Sequence, residues 1–221
     1  THQHVLGKIT QDLLERESID SKARFTGIQE MLKTVLRVAD VEASLIGIDS
    51  TDQVLMINSG RQEFDNLFAN VSDLENSQYQ RALDKGGLWV VPDLAKTTRR
   101  RKTFIEEKML EQGVASLAII PLKDPETNRD IGLLELRSPT KNALNEMNSM
   151  RLHELGTAFS SAVKRWVTER ADAVERTIRQ QCTPIHQSVA WRFEKAARSF
   201  IDRKRAEPHI SEMEPIVFHD V

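Results

Sequence analysis

The sequence predicts an α/β fold in which helices flank a central antiparallel or mixed sheet. Three observations carry this expectation. Residues 115–122 are apolar nearly throughout, as in a strand covered on both faces. Residues 131–137 alternate, with Gly132, Leu134 and Leu136 facing one way and Ile131, Leu133, Glu135 and Arg137 the other. The segment 124–130 between them is rich in Asp, Glu, Pro, Thr and Asn, the composition of a turn.

The other elements follow in chain order. Val5, Ile9 and Leu13 mark one face of a helix over 5–17. Residues 18–21 break it and cap a second helix over 22–38, where Phe25, Ile28, Leu32, Val35 and Leu36 recur at helical spacing. Segments 42–49 and 53–58 read as a hairpin around the turn formers of 49–52. Ser59 and Gly60 end its second strand. Short helices are expected over 61–70 and 74–85, the latter stopped by Gly86 and Gly87. A strand over 88–91 ends at Pro92, and a helix over 103–112 is closed by Gly113.

Beyond the last strand, Leu144, Met147, Leu152, Leu155, Phe159 and Val163 predict a long helix over 142–165, and its pattern continues through 181. Thr183 and Pro184 break it before a last helix over 189–203. A polar linker over 207–215 precedes an apolar stretch, 216–218, which reads as the start of a further element in a longer parent chain. The expected organisation is an N-terminal flanking helix (1–20), the sheet domain (21–165), and a helical connector with the beginning of a following element (166–221).

Composition narrows the function classes. An apolar fraction of 39% suffices for one real core. Lys and Arg number 31 against 33 Asp and Glu, so the net charge of -2 provides no global attraction to nucleic acid or anionic lipid. The single Cys182 excludes an internal disulfide and a four-cysteine metal centre. This cysteine usage fits a reducing compartment, and a cytoplasmic location is expected. No apolar run approaches the roughly eighteen residues that span a bilayer, so direct membrane insertion is not expected. No local motif points to an enzyme.

The order helix, hairpin, helical excursion, strand, short helix, two strands and long helix resembles the GAF family, the small sensory fold of signalling proteins. The resemblance covers roughly 21–165. It rests on EASLIGIDSTDQVLMI, YQRALDKGGLWVVPDL and GVASLAIIPLKDPETNRDIGLLELRSP. It implies a PAS-related sheet with helices on one side and a partly enclosed pocket on the other. Members bind cyclic nucleotides, tetrapyrroles, haem, small ions, or nothing, so no cofactor is assigned. The Asn-Lys…Phe…Asp-Glu signature of cyclic-nucleotide members has no convincing counterpart here. Cys182 lies beyond the resembling region, which argues against a covalently attached bilin. Some GAF-like proteins are methionine-sulfoxide reductases, but that chemistry needs reactive cysteines within the domain.

On this pattern the pocket positions include Ser44, Ile46, Met56, Tyr79, Trp89, Val91, Leu94, Phe104, Ser116, Ala118 and Glu135. Of these, Ser44, Tyr79, Trp89, Phe104 and Ser116 are the candidate ligand-binding residues. A buried serine hydroxyl needs a partner, which a ligand or a backbone carbonyl supplies equally well. Tyr79 and Trp89 either stack on a planar ligand or fill the core. Four adjacent cations, Arg99 to Lys102, form either a solvated loop before a helix or a site that captures an anionic ligand near the helix start at Thr103 and Phe104, and either reading allows a pocket lid. Glu106, Glu107, Glu135 and Arg137 read as solvated or paired charges rather than acid–base catalysts. The histidines form no metal motif, so neither a catalytic nor a metal site is expected.

Apolar stripes on the terminal helices suggest a homodimer with Leu155, Phe159 and Val163 in its interface, unless those helices pack within one chain. The resemblance implies a noncatalytic sensory or regulatory module that binds a small ligand and signals through flanking helices to an effector domain in the parent chain. The alternative is a ligand-free domain for dimerisation or protein interaction.

Overall fold

The computed structural model describes residues 2–15, 19–59, 69–99, 101–181 and 190–206. Two amphipathic helices begin the chain: α1 (His2–Leu14) and α2 (Lys22–Leu36). Leu6, Ile9 and Leu13 of α1 join Phe25, Ile28, Leu32, Val35 and Leu36 of α2 in one buried cluster. α2 stops where Arg37 takes the left-handed conformation and its N–H returns to the Lys33 carbonyl.

Strands β1 (Glu42–Ile48) and β2 (Val54–Ser59) form the expected antiparallel hairpin. Asp49 builds its turn, accepting the N–H groups of Thr51 (2.8 Å) and Gln53 (3.1 Å). The helix expected over 61–70 lies outside the described residues except at its end, where Asn70 bridges Gln53. A 3-10 turn (Val71–Leu74) leads to α3 (Gln78–Lys85). The Ser77 hydroxyl caps α3 by accepting the N–H groups of Tyr79 and Gln80, and Gly86 ends it at φ 66.

Next come β3 (Trp89–Val91), a short α4 (Leu94–Thr97), α5 (Phe104–Glu111), β4 (Ser116–Lys123) and β5 (Asp130–Ser138). The five strands pair antiparallel in the order β2-β1-β5-β4-β3. The single helix expected over 142–165 is instead divided. Asn142 adopts a left-handed turn, and α6 (Glu146–Ser149) and a 3-10 stretch (Met150–Leu155) precede α7 (Gly156–Gln181).

The chain divides into two compact units, Thr1–Val167 and Thr168–Val221. α1 is part of the first unit's core, so this unit begins earlier than the expected boundary at residue 21. On one face of the sheet, Ala43, Leu45, Ala118, Ile120, Leu134 and Leu136 pack with α1, α2 and α7. On the other face, Ile46, Leu117, Ile119 and Leu133 pack with Leu74, Tyr79, Ala82, Leu94, Ile105 and Met109. Successive strand residues alternate between these clusters, as period-two geometry requires.

Leu155, Phe159 and Val163 are fully buried in the first cluster. The dimer interface expected from them is therefore corrected. Their stripe is satisfied within the chain, and a second copy reaches it only by opening the core. α7 approaches the sheet where the paired glycines Gly47 and Gly132 leave room. A Cβ on Gly132 would lie 2.3 Å from the Ile46 carbonyl oxygen and 3.1 Å from Val163, while one on Gly47 would meet Trp166 and Val167.

In the second unit, α7 continues to Gln181 and α8 spans Ala190–Ala206. Arg170 forms a two-pronged pair with Asp202 at 2.8 and 3.0 Å, and Val174, Ala197 and Phe200 are buried. Among the described residues no helix is long and apolar enough to cross a membrane, and no His, Cys, Asp and Glu cluster could hold a metal ion.

Candidate functional site

The second face of the sheet carries a group of buried polar side chains. Register places Ser44 beside Glu135, and Glu42 beside Arg137, on adjacent strands. The Arg137 guanidinium donates from Nε to Glu135 Oε1 and from Nη2 to Oε2, the latter at 2.7 Å. Both side chains are almost wholly inaccessible. Burial opposes the charge of Arg137. Glu135 beside it, with Tyr79 and Glu42, outweighs that effect and holds its pKa above the already high ordinary value.

Tyr79 projects from α3 into the same place and is completely buried. Its hydroxyl interacts with the Glu135 carboxylate. Burial first, then the negative charge of Glu135, push the phenol pKa well above its ordinary value. Tyr79 therefore remains a neutral phenol at physiological pH, close enough to Glu135 to feel its charge, and Glu135 accepts from Arg137 through both oxygens. Such a two-pronged pair in a low-dielectric interior is costly to break.

Glu106 is a second buried carboxylate, contrary to its reading as a solvated or ion-paired charge. Its Oε1 accepts the Gln78 N–H at 2.7 Å and its Oε2 accepts the Thr103 N–H at 2.8 Å and the Thr103 hydroxyl. It satisfies orphan donors at the starts of both α3 and α5 and ties these helices over the sheet face. The spacing of Thr103 and Glu106 is a capping box visible in the sequence, whereas its bond to Gln78 is not.

The sequence-derived candidates divide by sheet face. Tyr79 lies at the centre of the second cluster, with Trp89 at its half-buried rim. Trp89 Nε1 donates to Gln78 Oε1 at 3.1 Å, and the Lys85 ammonium sits 5.4 Å from its ring centre. Ser44 shares this face, with its hydroxyl 3.3 Å from that of Ser59. Phe104 is at the start of α5 and is exposed, with Lys108 over its ring. Ser116 belongs to the opposite face. Its hydroxyl donates to the Thr140 carbonyl at 2.8 Å and accepts the Leu144 N–H at 3.2 Å, so its partners are backbone groups. Its placement in the pocket is corrected: one residue of strand parity separates it from Leu117, which does face the site.

No protein-family model matches the sequence, and a search of curated proteins finds no match. Solved structures do match the fold. The GAF domain of an Acinetobacter phosphoenolpyruvate-protein phosphotransferase aligns with 74% of this chain and 92% of its own at TM-score 0.53 and 13% identity. The phycocyanobilin-bound GAF domain of a cyanobacterial phytochrome aligns with 76% of this chain and 97% of its own at TM-score 0.53 and 16% identity. A free methionine-R-sulfoxide reductase of Neisseria meningitidis, solved with its substrate, aligns with 77% of this chain and 91% of its own at TM-score 0.52 and 16% identity.

The last of these corrects the expectation that the chain is no enzyme. The same fold carries catalysis in that reductase, so the lack of a familiar motif does not exclude an activity. The antiparallel sheet, its two differently filled faces and these likenesses give the first unit a GAF-like fold.

Proposed function

We propose that the protein is a sensory or regulatory module in which a small molecule bound at the second face of the sheet alters the packing of α7. One observation carries this reading: a single layer of backbone separates the two faces. Ile46 and Leu133 face the polar group of Tyr79, Glu135 and Arg137, while the adjoining Gly47 and Gly132 let α7 approach the reverse side. A change in strand spacing therefore reaches Val163 and Trp166 without an intervening flexible side chain. α7 then runs on as one helix to Gln181. The resemblance to ligand-bound GAF domains supports a small-molecule signal, with the half-buried Trp89 at the β3 edge, rather than the enclosed Tyr79, as the accessible contact. Coupling requires that the ligand bind the two arrangements of α7 unequally.

A second reading is a ligand-free interaction domain. Its support is the complete burial of Tyr79, whose ring occupies the centre of the face. Native mass spectrometry of the gently purified complete chain separates the two. The sensory reading expects an added mass that is lost on denaturation and is retained less well by Trp89→Ala. A protein that carries no added mass and shows no binding in a broad metabolite screen belongs to the second reading.

A further inference from the structure

The basic run after α4 is absorbed neither by the core nor by the sheet-face site. Residues 96–108 hold Lys96, Arg99, Arg100, Arg101, Lys102 and Lys108 against only Glu106 and Glu107. Local acids do not neutralise this excess. Glu106 is buried and engaged by backbone donors, Glu107 pairs with Lys102 at 3.2 Å, and Lys108 pairs with Glu111 at 2.6 Å. Among the described residues no side-chain hydrogen bond or ion pair holds Arg99 or Arg101. Both are exposed.

These cations do not project from a convex surface. Together with Ala95, Thr98, Lys102 and Leu110, Arg99 and Arg101 line an open cleft of about 360 Å³ between α4 and α5. That volume falls at the lower end of the roughly 300–1,000 Å³ typical of small-molecule sites. Thr98 is buried and donates to the Leu94 carbonyl at 2.8 Å, which anchors the loop at the cleft. Ala95 and Leu110 add an apolar wall. The Thr103 and Glu106 capping box occupies donors at the start of α5, so an anion here is held by side chains rather than by the helix end.

We infer that this cleft binds a small organic polyanion bearing phosphate groups. Two guanidinium forks, those of Arg99 and Arg101, match phosphate oxygens with paired, planar donors. The anion relieves the mutual repulsion of the loop cations, while the apolar wall accepts the organic portion. A concave site between two helices favours a small molecule over a nucleic-acid backbone, and the net charge of -2 supplies no wider field to steer a nucleic acid. α4 and α5 also place Leu94, Ile105 and Met109 on the second sheet face, so an anion bound between these helices touches from outside the elements that cover that face.

Calorimetric titration of the complete chain with tripolyphosphate at low salt tests the inference. The expected result is one site with a Kd below about 1 mM. Arg99→Ala with Arg101→Ala should weaken it by at least about tenfold. Arg192→Ala with Lys195→Ala, which removes the same charge elsewhere, should leave it unchanged. Both double variants should retain the parent's urea midpoint, because these side chains are not buried. Absence of binding at millimolar tripolyphosphate overturns the inference. So does equal weakening by the two double variants, which means diffuse attraction. Displacement of tripolyphosphate by a single-stranded oligonucleotide at lower concentration would also overturn it and assign the surface to nucleic acid.

Discussion

The least replaceable side chains are Glu135 and Arg137, because each is the main reason the other is tolerated inside the domain. Tyr79, completely buried beside them, stays neutral because burial and the Glu135 charge raise its pKa. Replacing Arg137 with Met leaves the Glu135 charge buried beside Tyr79 alone. Arg137→Met is therefore expected to lower unfolding stability by about 3–5 kcal/mol. Glu135→Leu combined with Arg137→Met should recover most of that loss, because an apolar pair leaves no stranded charge. Urea unfolding followed by circular dichroism measures both, and a loss below about 1 kcal/mol for the single variant would contradict the account. The shared face of Glu135 and Arg137 was legible from strand alternation. Their burial was not, since it depends on side chains such as Tyr79 that arrive from a distant helix.

At the scale of elements, α7 and the Gly47–Gly132 pair form one structural device. Helical spacing identified the apolar stripe of Leu155, Phe159 and Val163 in the sequence. Spacing cannot say whether a stripe meets its own sheet or a second copy, and here it meets the sheet. The glycines make that contact close. Gly132→Ala would set a Cβ against the backbone carbonyl of Ile46, which cannot rotate aside as a side chain can. A stability loss of about 1–3 kcal/mol is expected, and it should appear as a lower urea midpoint. Gly87→Ala is the control, with nothing within 4 Å of its new Cβ. Equal midpoints for the two variants would show that β5 and β1 separate freely, and the proposed route to α7 would lose its basis.

For the whole molecule, the question is where the folding unit begins. The sequence placed α1 outside the domain, but Leu6, Ile9 and Leu13 are buried within its first cluster. Burying one such side chain contributes about 1.5–3 kcal/mol, so their combined loss approaches the total stability of an ordinary domain, about 5–15 kcal/mol. A chain starting at residue 21 and ending at residue 167 is expected to unfold at much lower urea than one starting at residue 1, or to lack a cooperative transition. Circular dichroism in urea compares the two. Equal midpoints would return α1 to the role of a detachable flank.

The sequence by itself determined the class of the fold, the hairpins and the alternation of the core strands. These follow from local rules: period-two burial, turn formers at Asp49 and Asp124, and glycines after α3 and α5. It also read Ser44, Tyr79 and Trp89 as pocket residues by their likeness to a known order of elements, and all three lie on the second face of the sheet. Only the tertiary structure decided that Ser116 faces away, that Glu106 joins two helix starts, and that the stripe on α7 is covered by its own sheet. It alone gathered Arg99 and Arg101 into a cleft with Leu110. The reason is physical. Chain-local patterns specify which face of an element is apolar, but the partner of that face is set by contacts between residues far apart in sequence.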